Sequence, residues 1–264
     1  MKLACWNVNS IKQRIAYVEK LIKEENPDFI LLQELKCETD KFPYTEFEEL
    51  GYNLALIGQK TFNGVAIFSK YPLDEISTKL PSYGLDDQDE QARFVEATVA
   101  VGKEYFRIIS VYVPNGGEVG GERFPYKMNF LERLKRYIRE VNNPDERLVI
   151  AGDFNIANLD IDIYDPKALA NSICCSQSEK KIFREILAEN MFDSFRLLNP
   201  HTQNFTWWDY RGGAYDHNKG LRIDYILTNP SATDLLEKAY MLEDYRKLPK
   251  TSDHIPIISE FTTG

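Results

Sequence analysis

The chain has 264 residues, of which 28% are charged and 43% hydrophobic, proportions of a globular protein large enough to bury a core without covalent staples. Its net charge of −9 and pI of about 5.0 exclude binding to polyanions through overall charge and leave that task to a local basic face or a bound cation. No stretch approaches the roughly 20 apolar residues of a membrane span, the opening MKLACWNVNSI is too polar for a secretory signal, and Cys5, Cys37, Cys174 and Cys175 lack metal-finger spacing, so a cytoplasmic chain with free thiols is expected.

Residues 2–8 (KLACWNV) read as a buried strand. Residues 11–25 carry Ile11, Ile15, Val18, Leu21 and Ile22 at helical spacing, with Ser10 as the expected cap and Pro27 as the stop. FILLQ at 29–33 and GVAIFS at 64–69 are apolar strands. Residues 92–101 and 105–113 alternate and are joined by Gly102-Lys103, a hairpin signal. An amphipathic helix is predicted at 124–141 through Phe130, Leu131, Leu134, Ile138 and Val141. RLVIA at 147–151 is a buried strand, 178–189 a helix, and 222–228 and 255–261 strands. No linker or low-complexity tract interrupts the plan, which predicts one domain over 1–264. The WNVN after the first strand echoes the GDFN after RLVIA, as two packed sheets of similar plan would produce.

The chemistry is expected where apolar strands end in polar groups. These are Glu34, Tyr112, Asn115, Asp153, Asn155, Asp224 and the Asp253-His254 pair. If the ends meet, they form an oxygen-rich pocket with one imidazole, a donor set for a hard cation such as Mg²⁺ or Mn²⁺. Singly, each has a plainer reading: Glu34 as a solvated charge, Asp153 as a turn former, His254 as a structural histidine. Asp224 is more pointed, because a carboxylate between Ile223 and Tyr225 is costly unless paired, and His254 would pair it. Residues 205–211 (FTWWDYR) and 218–222 (NKGLR) interleave aromatics with Arg211, Lys219 and Arg222. They read as a recognition loop on which bases or sugars stack while basic groups hold phosphates. Of Trp207 and Trp208, one is expected in the core and one at the surface.

The segments WNVNSI at 6–11, LQELKC at 32–37, YVPNG at 112–116, GDFNIA at 152–157, GLRIDYIL at 220–227 and SDHIP at 252–256 occur in this order. With them the chain resembles the exonuclease III family of AP endonucleases, within the endonuclease/exonuclease/phosphatase superfamily, from Lys2 to about Phe261. The resemblance implies a four-layered α/β sandwich, two mainly antiparallel sheets packed face to face and flanked by helices. It implies a monomeric, bacterial-type enzyme that works at the nucleoid on double-stranded DNA with abasic or 3′-blocked sites. That enzyme uses Mg²⁺, or Mn²⁺ in its place, to hydrolyse the phosphodiester bond 5′ to an abasic site. A 3′→5′ exonuclease or 3′-phosphodiesterase activity is implied as well.

Carried over by position, Glu34 is the principal metal ligand, with Asn7, Asp153, Asn155, Asp253 and His254 around one or two metal positions. Asp153, oriented by Asn155, prepares the attacking water. His254, paired with Asp224, contacts the phosphate or moves a proton, and Tyr112 and Asn115 donate to the phosphate. Trp207, Leu221 and Ile223 stand where the family builds a pocket for a base-free deoxyribose. GGEVGGERFPYK, after YVPN, departs from the pattern: its glycines and acids predict a flexible loop with a poor grip on phosphate and a weaker 3′ exonuclease. A superfamily enzyme acting on an inositol phosphate or sphingomyelin would share the acidic set but not need the 205–222 loop. An inactive DNA-binding module would lack a metal- or water-handling residue, and none is missing.

Overall fold

Apolar runs form the inner strands of two sheets, and less buried segments form their edges. The computed structural model describes residues 1–263. Its first half contains β1 (Lys2–Asn7), α1 (Ile11–Glu25), β2 (Phe29–Gln33), α2 (Tyr44–Glu48), β3 (Asn53–Ile57), β4 (Val65–Ser69), β5 (Asp74–Ser77), β6 (Phe94–Val101) and β7 (Glu104–Tyr112). The second contains α3 (Phe124–Val141), β8 (Arg147–Asp153), α4 (Gln177–Leu187), β9 (Phe192–Asp193), β10 (Asp224–Thr228), β11 (Leu236–Met241) and β12 (Ile257–Phe261).

One sheet runs β11-β12-β1-β2-β4-β3 and the other β5-β6-β7-β8-β10-β9. Each holds a single parallel pair, β1 with β2 and β7 with β8, and all other neighbours are antiparallel. A parallel pair needs a crossover, which α1 and α3 supply. The sheets thus repeat one plan, as the sequence echo suggested. The echoing segments are not equivalents, however: WNVN leaves β1, whose counterpart is β7, whereas GDFN leaves β8, the counterpart of β2.

Alternation along the strands sorts side chains into layers. Leu3, Cys5, Phe29 and Leu31 meet Val95, Ile108, Val149 and Ile226 between the sheets. Trp6, Ile30 and Leu32 face outward against Val18 and Leu21 of α1 and Phe47 of α2. On the far side Ile109, Val111 and Ile150 lie under Phe130 and Leu134 of α3 and Phe183 of α4. The result is the expected four-layered α/β sandwich, and among the described residues no helix is long and apolar enough to cross a membrane.

Two local expectations change. Ser10 precedes α1 but its side chain makes no capping bond. Instead the Ser10 and Ile11 N–H groups donate to the Glu34 and Leu35 carbonyls at 2.8 and 3.0 Å, so the chain after β2 caps the helix. The strand expected at 222–228 begins only at Asp224, because Arg222 turns inward to a buried ion pair with Asp162 at 2.7 Å.

Candidate active site

The carboxyl ends of β1, β2, β7 and β8 and the amino ends of β10 and β12 converge on one rim. Asn7 is in register with Gln33, and Tyr112 and Asp224 are both in register with Asp153. Just past β2, Glu34 adopts φ 52°, and past β8 Asn155 adopts φ 51°. Side chains disfavour this left-handed region, so it persists only where surroundings enforce it. The Glu34 carboxylate accepts from Asn7 Nδ2 and the Tyr112 hydroxyl, each at 2.9 Å, and Lys36 Nζ lies 2.9 Å from its second oxygen. Asn7 Nδ2 also donates to Asp153 Oδ2 at 2.9 Å and so bridges the two sheets. The other Asp153 oxygen accepts the Asn155 backbone N–H at 2.8 Å. His254 Nδ1 lies 2.9 Å from Asp224 Oδ2, and its Nε2 lies 3.7 Å from Asp153 Oδ2.

The neighbours set the charges. Burial acts to raise the Glu34 carboxyl, but the Lys36 ammonium and the Asn7 amide outweigh it and hold the pKa below the ordinary value. Burial raises Asp153 too; the positive His254 opposes it, the Asp224 and Glu34 charges add to it, and the result is about 7. Burial lowers His254, but Asp224 and Asp153 more than reverse this and push it up to about 10. Glu34, Asp153 and His254 each present a ligand atom within 4.8 Å of the others. The two carboxylate oxygens suit a hard divalent cation, so the donors present fit a metal ion.

Above this cluster opens a cleft of about 650 Å³ whose wall includes Trp207, Leu221, Ile223 and Cys174. The backbone of Trp207 pairs with Leu221 and bridges to His254, which fixes the indole beside the acidic cluster. Its Nε1 donates to Asp253 Oδ2 at 3.0 Å. Trp208 points the other way and is buried in the outer core of the first sheet. Arg211 and Lys219 line the mouth, and both are exposed. Arg211 is engaged by Asp209, with Nη2 3.0 Å from Oδ2.

Of the sequence candidates, the structure thus brings Asn7, Glu34, Tyr112, Asp153, Asn155, Asp224 and His254 into one network. Asn115 joins it through a 3.1 Å bond from its Nδ2 to Asn155 Oδ1. Asn155 holds Asp153 with its backbone, while its side-chain Nδ2 donates to the Val113 carbonyl at 2.9 Å. Asp253 lies outside the three converging ligands: its oxygens accept from Trp207 and, at 2.9 Å, from Asn9 Nδ2. Sequence reasoning passed over Lys36, although it stands two residues beyond Glu34 in LQELKC. It also passed over Thr206, whose hydroxyl accepts the Ile223 and Asp224 N–H groups at 3.1 and 3.2 Å.

Residues 4–254 match the profile of the Endonuclease/Exonuclease/phosphatase family. The chain is 33% identical to the exodeoxyribonuclease III of Haemophilus influenzae, over 99% of this chain and 100% of that protein. Among solved structures, a 3′-5′ exonuclease, NExo, from Neisseria meningitidis superposes with a TM-score of 0.94 at 37% identity, with all of both chains covered. An AP endonuclease from Archaeoglobus fulgidus superposes with a TM-score of 0.93 at 33% identity, again with all of both chains covered.

Proposed function

The chain belongs to the endonuclease/exonuclease/phosphatase family, and from that premise we propose that it is a Mg²⁺-dependent DNA-repair nuclease that cuts the phosphodiester bond 5′ to an abasic site in duplex DNA. A 3′→5′ exonuclease or 3′-phosphodiesterase activity belongs to the same reading. The observation that carries it is the sharing of one cleft by the Glu34–Asp153–His254 cluster and an apolar wall of Trp207, Leu221 and Ile223. A deoxyribose without its base fits against such a wall, and extruding it costs least where pairing is already lost. The activities for which the relatives are named, an exodeoxyribonuclease, a 3′-5′ exonuclease and an AP endonuclease, support the same substrate.

Glu34 and Asp153 are the residues to hold the cation, with Glu34 kept ionised by Lys36. A bound Mg²⁺ supplies charge neutralisation for the phosphate in transit. The protonated His254 has no free lone pair, so in that form it donates to a phosphate oxygen rather than ligating. Asp153, fixed at the rim beside His254 and by the Asn155 N–H, accepts a proton from the attacking water. Asn115 has a second amide proton beyond its bond to Asn155 to offset charge growing on a non-bridging oxygen, and the Tyr112 O–H does so on turning from Glu34 to the phosphate. The products are a 3′-hydroxyl and a 5′-deoxyribose phosphate. The test is a duplex carrying one abasic analogue, incubated with Mg²⁺ or with EDTA, with both product ends mapped. Cleavage 5′ to the lesion only with the cation is expected; cleavage in EDTA, or ends on the other side of the lesion, refutes the assignment.

A further inference from the structure

Behind the rim lies an ion pair that the proposed chemistry does not use. Lys127 of α3 and Glu179 of α4 bond to each other, and neither has any solvent exposure. A buried pair of this kind stabilises little by itself, because its attraction is spent on desolvation. What matters is what else it holds. The Lys127 ammonium also donates to the backbone carbonyls of Asn155 at 2.7 Å and Asn115 at 3.1 Å, so all three of its protons have acceptors. The Glu179 carboxylate accepts the Cys174 N–H at 3.0 Å and the Ser176 N–H at 3.1 Å. Asn155 and Cys174 both have left-handed backbones, φ 51° and 68°, and each is fixed by one member of the pair. Gly116 is shaped by the same group, since a side chain there would meet Lys127 Cδ at 2.9 Å on a backbone already at φ +87°.

We propose that the Lys127–Glu179 pair positions the active site by locking the Asn115, Asn155 and Cys174 segments in the conformations that face the cleft. Lys127 sets the two asparagines and Glu179 sets the turn at Cys174, which the Ala157 N–H ties back to the Asn155 segment at 2.7 Å. The two are positioning residues, buried beyond reach of substrate. The inference rests on the proposed function only in taking Asn115 and Asn155 to face a phosphate.

Lys127→Met alone strands a buried carboxylate and is expected to damage the fold. The informative variant is Lys127→Met/Glu179→Gln, which removes both charges at similar volume. Its thermal midpoint should fall, because the Asn115 and Asn155 carbonyls lose their donor, but the protein should stay folded at the assay temperature while kcat on abasic duplex falls by about 100-fold, the cost of a small misplacement of reacting groups, with KM little changed. Hydrogen exchange should quicken across 154–157 and 173–176. Parental kcat with parental exchange overturns the inference, as does a loss of turnover that merely follows a loss of folded protein. If the parent itself leaves abasic DNA intact, the proposed function fails while the exchange pattern still decides the clamp. A second measurement needs no variant. In the parent, the Lys127 ammonium protons should be visible by ¹⁵N-edited NMR because all are bonded and dry, and exchange at the rate of exposed lysines refutes the clamp.

Discussion

Glu34 and Asp153 reach the rim from two sheets built to one plan, but by different routes. In the first sheet the last residue of β2 is Gln33, in register with Asn7 and Val65, and its side chain turns inward to Ser110 and Cys5. Its counterpart in the second sheet is Asp153, in register with Tyr112 and Asp224. The first sheet therefore delivers its carboxylate one residue later, on a left-handed turn that leaves Glu34 17% exposed beside Lys36. The second delivers its own within the strand, 2% exposed and facing a second carboxylate and an imidazole. One scaffold thus yields two carboxyls of opposite tendency, one held ionised and one pushed toward neutrality. A one-residue offset in register places one carboxylate beside an ammonium and the other beside a second carboxylate and an imidazole.

Chelation with EDTA should abolish cleavage, and Mg²⁺ or Mn²⁺ should restore it. Glu34→Ala should sharply raise the metal concentration needed for half-maximal rate. A metal titration of Glu34→Ala that overlays the parent's would remove Glu34 from the ligand set. Next, Asp153→Asn should slow single-turnover cleavage by roughly 10²–10⁴-fold while DNA affinity, measured in Ca²⁺, stays close to the parent's. A near-parental rate would show that another group handles the water. His254→Ala should resemble it, and Asp224→Ala should be milder if Asp224 only orients His254.

Substitutions in the cleft wall and at its mouth leave the carboxylates intact. Trp207→Ala should cost about 1–3 kcal/mol of transition-state binding, the range for a missing stacking aromatic, with metal affinity unchanged. If that variant cuts abasic DNA like its parent, the pocket is elsewhere. In chelated protein, the ion pair to Asp224 gives a stability term with a defined sign. His254 is raised from 6.5 to about 10, so the term is full below 6.5 and fades as pH rises through 10. The gap in thermal midpoint between parent and Asp224→Asn should therefore narrow across that window, and a constant gap would contradict the assignment. Smallest of all, removing Arg211 or Lys219 should flatten the salt dependence of DNA binding by about one unit of slope for each phosphate left without its cation.

The strand ends were legible in the sequence because apolar runs stop abruptly at Glu34, Tyr112 and Asp153, and because Asp224 inside such a run demanded a partner that His254 provides at 2.9 Å. The four-layered architecture came from resemblance rather than periodicity. The edge strands β5 and β9 are short and largely exposed, and β11 mixes charged with apolar residues, so they carry no clear apolar pattern. Lys127 was invisible for a related reason. A lysine on an amphipathic helix normally lies on the solvated face, and only the fold reveals that this one is sealed against Glu179 from another helix. Asp253 was legible as a polar neighbour of His254, but its bonds to Trp207 and Asn9, which place it beside the Glu34–Asp153–His254 group, depend on segments far apart in the chain.

The proposed function joins hydrolysis and recognition of a missing base in one cleft. Its most direct test is the single-turnover rate of the parent protein in Mg²⁺ on two covalently closed duplexes, identical except that one carries a single abasic site. Closed ends silence any exonuclease, so only internal cleavage is read. The abasic duplex should be nicked at one position, immediately 5′ to the lesion, while the intact duplex survives. Equal nicking of both, or of neither, would contradict the account.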